Sequence, residues 1–422
     1  MRKILIISFY WPPSGKASMH WPVDIAAYLS RNNFEPVILT VNEDTFSGQD
    51  SSFINRMNNS VTIIKSKFWD PFVIYKKLLG KNSSEPLVAS EAISKTGKSF
   101  AQKISLWIRM NLFVPDARVG WLIPGVREAK KYLRNNKIDL IISNGPPHTS
   151  HLIGKKLSRI FNIPLISVFI DPWVDISYYK EQKRNRFVVK FDNALEKSVV
   201  KHSSQFILVT KTLKEYFDKK YPFAENKSRV LYWGYNESAF ESLNKDSLPN
   251  KILLHAGNMY DYQNPLNFWK MLGGEISRGR NIKIKFIGTI GPQIRSTLEE
   301  TGIIEHCEFM GFLPYRQVVR EMMNASYLLV CAAEPRHVPG KLFEYMRTGN
   351  PIIAFGNDNK EVKELLEESN SGMLFNYNDS GKEFFEHIDK FNTNMAYVKK
   401  FDRNHVAEEL VGIIYHVLRN TK

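Results

Sequence analysis

The residues best placed to do chemistry lie in the stretch 338–355, VPGKLFEYMRTGNPIIAF. It reads as a loop, a helix start at Gly340 and Lys341, two helical turns, a Gly349 stop and a buried strand. Backbone N–H groups of Gly340, Lys341 and Leu342 point outward from such a start, where the helix dipole and the Lys341 ammonium favour a pyrophosphate. Glu344, one turn further in, can accept hydrogen bonds from two vicinal ribose hydroxyls. Solvated charges on an ordinary amphipathic helix fit the spacing of Lys341 and Glu344 equally well.

His148 and His151 stand at i, i+3 where another helix begins, but no carboxylate or thiolate lies near enough in sequence to complete a metal site. His148 is either a hydrogen-bonding group for a sugar or acceptor, or a helix-start histidine satisfied by backbone; for His151 the second reading is preferred. Asp171 is an acceptor-side base or the cap of the Asp-Pro turn, and its place at a strand end favours the base. No Asp-x-Asp pair occurs, so a helix dipole and basic side chains, with no metal, are expected to neutralise a leaving diphosphate.

These residues need a scaffold, and the apolar pattern supplies one. Strand-length runs alternate with helix-period stretches, as in a parallel sheet covered on both faces by crossover helices. The first half predicts strands at 3–8, 36–41, 61–65, 138–143, 164–170 and 205–210; the second restarts with 251–256, 283–287, 327–330 and 351–355. The fold class is α/β, with two Rossmann-like doubly wound domains facing a central cleft where open α/β sheets bind ligands. Expected bounds are 1–235 for the first domain, a polar linker at 236–250, 251–400 for the second, and a last helix in 401–422 that packs on either domain. Residues 80–99, rich in Ser, Lys and Gly, read as an exposed loop.

Fifty-eight Lys and Arg against 43 Asp and Glu give a formal charge of +15, which invites nucleic acid, anionic lipid or phosphorylated ligands. Nucleic acid is the least supported, since no zinc-finger, RNA-binding or basic-zipper signature is present. The start, MRKILIISFYWPPSGKAS, imitates a signal peptide, but its apolar run breaks at Pro12-Pro13 and reads better as a strand. No apolar run approaches the ~18 residues that cross a bilayer. Cys307 and Cys331, each in a strand-like segment, make no disulfide framework, so a reducing cytoplasm is expected. The segments 68–79 and 100–113 combine Trp, Phe and Leu with Lys or Arg, a composition that suits interfacial helices on an anionic membrane as well as core helices.

The segment GKLFEYMRTGNPIIAF resembles the donor-binding signature of nucleotide-sugar glycosyltransferases with the twin-Rossmann GT-B fold, in particular the retaining family numbered four. The loop 8–15 with Gly15, the loops 144–150 and 171–173, and Trp233-Gly234-Tyr235-Asn236 are similar to cleft loops of its bacterial polysaccharide-assembly members. In the second domain, Gly257 and Asn258 after one strand and Phe312 and Leu313 after a later one look like that family's nucleotide-contacting loops. The sequence departs from the pattern twice. Arg336 stands eight before Glu344 where relatives carry a glutamate, with Glu334 out of register, and Asn258 and Gln263 stand near the positions of a diphosphate-binding Arg and Lys. The resemblance implies a hexosyltransferase that takes a UDP- or GDP-linked sugar as substrate, needs no cofactor, and delivers the sugar to a saccharide or lipid-linked acceptor at the inner membrane face. A sugar-nucleotide epimerase of the same fold and a non-catalytic partner subunit are the alternatives.

Overall fold

The computed structural model describes residues 1–46, 50, 61–70, 107–108, 110–175, 184–241, 243–246 and 251–420. The expected loop 80–99 and most of the expected interfacial helices 68–79 and 100–113 lie outside the described residues. The chain divides into two compact units, Met1–Tyr232 with Ala407–Lys422, and Trp233–Val406.

The first unit is built on seven parallel strands: β1 (Arg2–Ile7), β2 (Phe34–Val41), β3 (Thr62–Ser66), β4 (Leu140–Gly145), β5 (Leu165–Phe169), β6 (Gln205–Leu208) and β7 (Ser228–Val230). Their order is β3-β2-β1-β4-β5-β6-β7. Parallel pairing demands crossovers, and helices α1 (His20–Arg31), α2 (Leu122–Leu133), α3 (Thr149–Phe161) and α4 (Arg186–His202) are among those that supply them. The central strands are apolar along their length because helices cover both faces, and Leu5, Ile7, Val37, Leu39, Ile141 and Leu165 form one core with Trp121 and Leu157. Each such side chain, fully buried, stabilises by ~1.5–3 kcal/mol relative to exposure. Trp121 keeps its polar edge satisfied by donating from Nε1 to Ser66 Oγ at 2.7 Å.

The second unit repeats the plan with six parallel strands: β8 (Lys251–Ala256), β9 (Ile282–Ile287), β10 (Cys307–Gly311), β11 (Tyr327–Cys331), β12 (Ile352–Phe355) and β13 (Gly372–Phe375), in the order β10-β9-β8-β11-β12-β13. Helices α5 (Tyr315–Asn324) and α6 (Lys341–Thr348), with the loops before them and after β8, carry its candidate site. The last helix, α7 (Arg403–Asn420), leads the chain back into the first unit, where Tyr415 packs on Phe34 with ring centres 5.6 Å apart. The described part of the segment 236–250 is tied to the second unit, Glu237 by Arg347 at 2.6 Å and Lys245 by Asn350 at 2.5 Å. The units part at Tyr232 and Trp233. The expected strands omit β7 and β13, and β10 is signalled only by the strand-like setting of Cys307. All three are sheet edges with partly exposed residues, so their apolar signal is weak.

Candidate functional site

Both sheets change winding direction at one place, between β1 and β4 in the first unit and between β8 and β11 in the second. Loops leaving the carboxyl ends of such strands depart to opposite faces and open a crevice. In the second unit β8 ends at Ala256, and Gly257 takes φ +103°, a conformation that side chains disfavour. A methyl group there would stand 2.9 Å from Lys341 Nζ. The ammonium therefore lies over bare backbone at the end of β8. The turn is held by Gly257 N–H donating to Ile287 O (2.7 Å) and Thr289 N–H donating to Asn258 Oδ1 (3.1 Å).

Helix α6 starts with Gly340 as its N-cap, and no side chain caps it. Leu342 N–H donates to Pro339 O at 2.8 Å and Phe343 N–H to Gly340 O at 3.3 Å, so Leu342 has no N–H to spare for a ligand. The N–H groups of Gly340 and Lys341 are the better placed pair. Asn359 staples the preceding loop by donating from Nδ2 to Glu334 O and His337 O, each at 3.0 Å. Ala256 N–H donates to the Tyr345 hydroxyl at 2.8 Å, which joins the end of β8 to the second turn of α6.

His255 lies just before that joint and is almost fully buried. Its Nδ1 is 3.0 Å from Leu329 O, which can only accept, so Nδ1 carries the proton and Nε2 offers its lone pair to Lys341 Nζ at 3.4 Å. Burial holds the imidazole well below its ordinary range, and the ammonium beside it acts in the same direction. Burial also pushes Lys341 down to about 8, against the opposing pull of Cys331 and Glu344. An ammonium so destabilised gains most from an anion brought beside it.

Glu344, read from sequence as open to a ligand, is 7% exposed, and its Oε1 accepts from the Tyr315 hydroxyl at 2.6 Å. Phe312 is exposed and Leu313 half-buried on the turn between β10 and α5. Arg336 donates from Nε to Glu334 Oε1 at 2.8 Å, so its charge is already opposed. Among the described residues it is Lys341 whose cation is placed over the end of β8.

The first unit's switch point holds the loop with Gly15, which is half-buried, and the turn after β4. His148 caps α3 and stacks on Trp173, the rings 4.8 Å apart and 3° from parallel. Trp173 donates from Nε1 to Asp192 Oδ1 at 2.7 Å, and Arg184 holds the other oxygen at 2.6 Å. Ser203 donates to Val199 O at 2.9 Å, which leaves Ser167 to donate to Ser203 (2.9 Å), Ser143 to Ser167 (3.3 Å) and His151 Nδ1 to Ser143 (2.9 Å). The relay fixes the tautomer of His151, and its Nε2 becomes an acceptor. A methyl group on Gly145 would be 2.4 Å from that nitrogen and 3.0 Å from His148 Nδ1, and neither atom has a hydrogen-bond partner among the described residues.

Burial lowers His148 to about 3 and holds His151 well below its ordinary range. Rings that stay neutral throughout the physiological range hydrogen-bond; they do not take up protons. The start of α3 is no anion site either, since Asp116 already accepts from Thr149 N–H at 2.9 Å. Asp171 follows β5 half-buried, two residues before Trp173.

The structure thus sets Lys341 over Gly257 in the second unit, with Gly340 and Asn258 beside them in the chain, and stacks His148 on Trp173 in the first, with Asp171 two residues before Trp173. Sequence reasoning misses His255, Tyr315 and Tyr345. The first had a signal, a lone imidazole at the end of the aliphatic run KILLHA. Among the described residues no group of three His, Cys, Asp or Glu could hold a metal ion, and no helix is long and apolar enough to cross a membrane.

Residues 250–394 match the family described as Glycosyl transferases group 1, and residues 93–239 match Glycosyltransferase Family 4. Among curated proteins none matches significantly. The fold is shared with a sucrose-phosphate synthase from Thermosynechococcus elongatus, at a TM-score of 0.67 and 13% identity over 100% of both chains. Anabaena HepE, solved with UDP and glucose, superposes at 0.65 and 13% identity over 99% of this chain and 100% of its own. A UDP-GlcNAc 2-epimerase from Methanocaldococcus jannaschii follows at 0.55 and 16%, over 98% and 99%.

Proposed function

The chain belongs to the group 1, family 4 glycosyltransferases of GT-B fold, and from that membership we propose that it transfers a hexosyl unit from a UDP-linked sugar, with retention, to a saccharide or lipid-linked saccharide at the inner membrane face, in cell-surface polysaccharide assembly. The observation that carries the reading is Lys341 at the start of α6, poised over the bare backbone of Gly257. UDP is preferred to GDP because the Anabaena relative was solved with UDP-glucose. In this reading Lys341 and the Gly340 and Lys341 N–H groups bind the diphosphate and oppose the charge that grows as it leaves. His148, neutral and fixed by Trp173, orients the acceptor, and Asp171 is the acceptor-side base.

An epimerase of the same fold is the second reading, favoured by the similarity to the archaeal 2-epimerase. Incubating the protein with a panel of UDP-sugars, with and without saccharide acceptors, separates the two. Acceptor-dependent release of UDP is expected, whereas interconversion of the sugar with donor alone supports the epimerase. Turnover is expected to stay within about twofold after EDTA treatment, because the cationic helix start does the work of a metal. Complete loss that manganese or magnesium restores rules out the metal-free reading.

Affinity for UDP should depend on pH through Lys341. A bound diphosphate favours the charged amine, which exists below about 8, so affinity is expected to fall as pH rises through that value. The depressed value has the opposite sign for folding. Protonating Lys341 costs the folded chain below about 8, and the cost is relieved as pH rises toward the ordinary 10.5. Calorimetric titration of UDP across this window reads the effect directly, and a flat profile is incompatible with the assignment.

A further inference from the structure

Helix α4 carries Phe187, Phe191 and Leu195 at i, i+4 and i+8, a single stripe. Phe187 is 83% exposed and Phe191 56%, although an aromatic ring at a helix surface normally finds cover. Leu195 continues the stripe into a groove of roughly 780 Å³, floored by Leu122 and Val126 of α2 and Leu152 of α3. Ile123, 65% exposed, stands on its rim.

The charge around this stripe has one sign. Arg127 and Lys130 of α2, Arg134 just after it and Lys156 of α3 line the groove, and Arg186 and Lys190 flank the phenylalanines. On these three helices the acids are Glu128, paired with Lys131 at 2.8 Å, and Asp192 and Glu196, both fully buried. The helix start is anchored, since Asn185 Oδ1 accepts from Phe187 N–H at 2.8 Å and Asn185 N–H donates to Asn111 Oδ1 at 2.6 Å. The phenylalanines are therefore presented on an ordered frame.

We propose that the α2–α3–α4 face of the first unit docks on an anionic phospholipid bilayer, with Phe187 and Phe191 inserted among the acyl chains and the surrounding Lys and Arg on lipid phosphates. Rings without a polar edge, beside an apolar groove and basic residues, match the boundary between headgroups and hydrocarbon. A nucleic acid would meet the same charges but leave the groove floor without an apolar partner. The inference rests on the membrane half of the reading above and names the surface that serves it.

The full chain should co-sediment with vesicles of phosphatidylcholine and phosphatidylglycerol, weakly with phosphatidylcholine alone, and less as salt rises. Phe187→Ser with Phe191→Ser should weaken partition at least ~10-fold, since both lost rings would have been buried. Arg186→Glu with Lys190→Glu should remove most of the salt dependence. Both pairs are exposed, so thermal melts and UDP binding should match the parent chain. Trp107→Ser, in the segment first expected to reach the membrane, should bind vesicles as the parent does.

If the parent binds anionic vesicles and the phenylalanine variant binds equally well, the surface lies elsewhere and this proposal fails while the membrane reading stands. A parent chain that ignores anionic vesicles overturns both. Capture of single-stranded RNA in place of vesicles, lost in the same variants, assigns the face to nucleic acid and overturns the proposal. Acceptor-dependent UDP release, measured in parallel, reports on the transferase reading independently.

Discussion

Lys341→Met is expected to lower kcat/KM for donor turnover by ~10²–10³-fold, the usual loss when one preorganised charge-stabilising group is removed from an active site. Methionine keeps the length and apolar stem but removes the ammonium that lies over Gly257. Stability should change little, because methionine removes the donor that meets the buried His255 Nε2 at 3.4 Å but removes a buried charge with it. Burial drives the Lys341 proton off at about 8, so the charge is a cost to the folded chain that methionine does not carry. Arginine is no conservative replacement, because a planar five-donor guanidinium meets the bare backbone of Gly257 differently from a compact ammonium. Rates of UDP release and a thermal melt test both halves. An unchanged kcat/KM in a folded Lys341→Met protein would remove Lys341 from the chemistry.

Glu344→Ala should weaken nucleotide-sugar binding at least ~10-fold, because a carboxylate gripping two ribose hydroxyls makes charged hydrogen bonds worth ~1.5–3 kcal/mol each. The structure adds a second expectation. Alanine leaves the buried Tyr315 hydroxyl without Glu344, which costs ~1–3 kcal/mol of stability, so the fold is weakened as well as the site. Glu344→Gln should be milder in both respects. Tyr315→Phe separates the roles, since it removes the hydroxyl and keeps the carboxylate. Calorimetry on the three variants decides: if Tyr315→Phe loses as much affinity as Glu344→Ala, the carboxylate supports α5 and does not grip the ribose.

Much of this architecture is legible in the amino-acid order, for physical reasons that also mark where legibility stops. Central strands such as β1 and β4 are buried on both faces, so KILII and LII announce themselves as unbroken apolar runs. Edge strands β7, β10 and β13 are short and half-exposed, and local pattern is silent about them. The start of α6 is readable because a Gly-Lys step and a Gly349 stop bracket it. That Tyr315 reaches Glu344 is not readable, because the contact joins two helices whose packing only the assembled sheet determines. The same holds for His148. Its position at a helix start follows from the chain, while its neutrality follows from burial, in a place where its ring stacks on a Trp173 held by Asp192. Solvated charges are one of two readings of Lys341 and Glu344 from sequence; Glu344 is buried and Lys341 half-buried, and the desolvation of the Lys341 amine raises what a diphosphate can gain.

The return of the chain to the first unit has a bearing on how the protein is made. Tyr415 packs on Phe34 and also lies under Arg2 at 5.5 Å, but it leaves the ribosome only after the whole of Trp233–Val406 has followed Phe34. At ~5–20 residues per second that face of β1 and β2 waits on the order of tens of seconds for its cover, while the whole of Trp233–Val406 emerges and can fold. The first unit is begun before the second and completed after it. An uncovered strand end in a nascent chain is a place for chaperones to hold and for neighbouring chains to stick, so the timing of translation becomes part of what protects this fold.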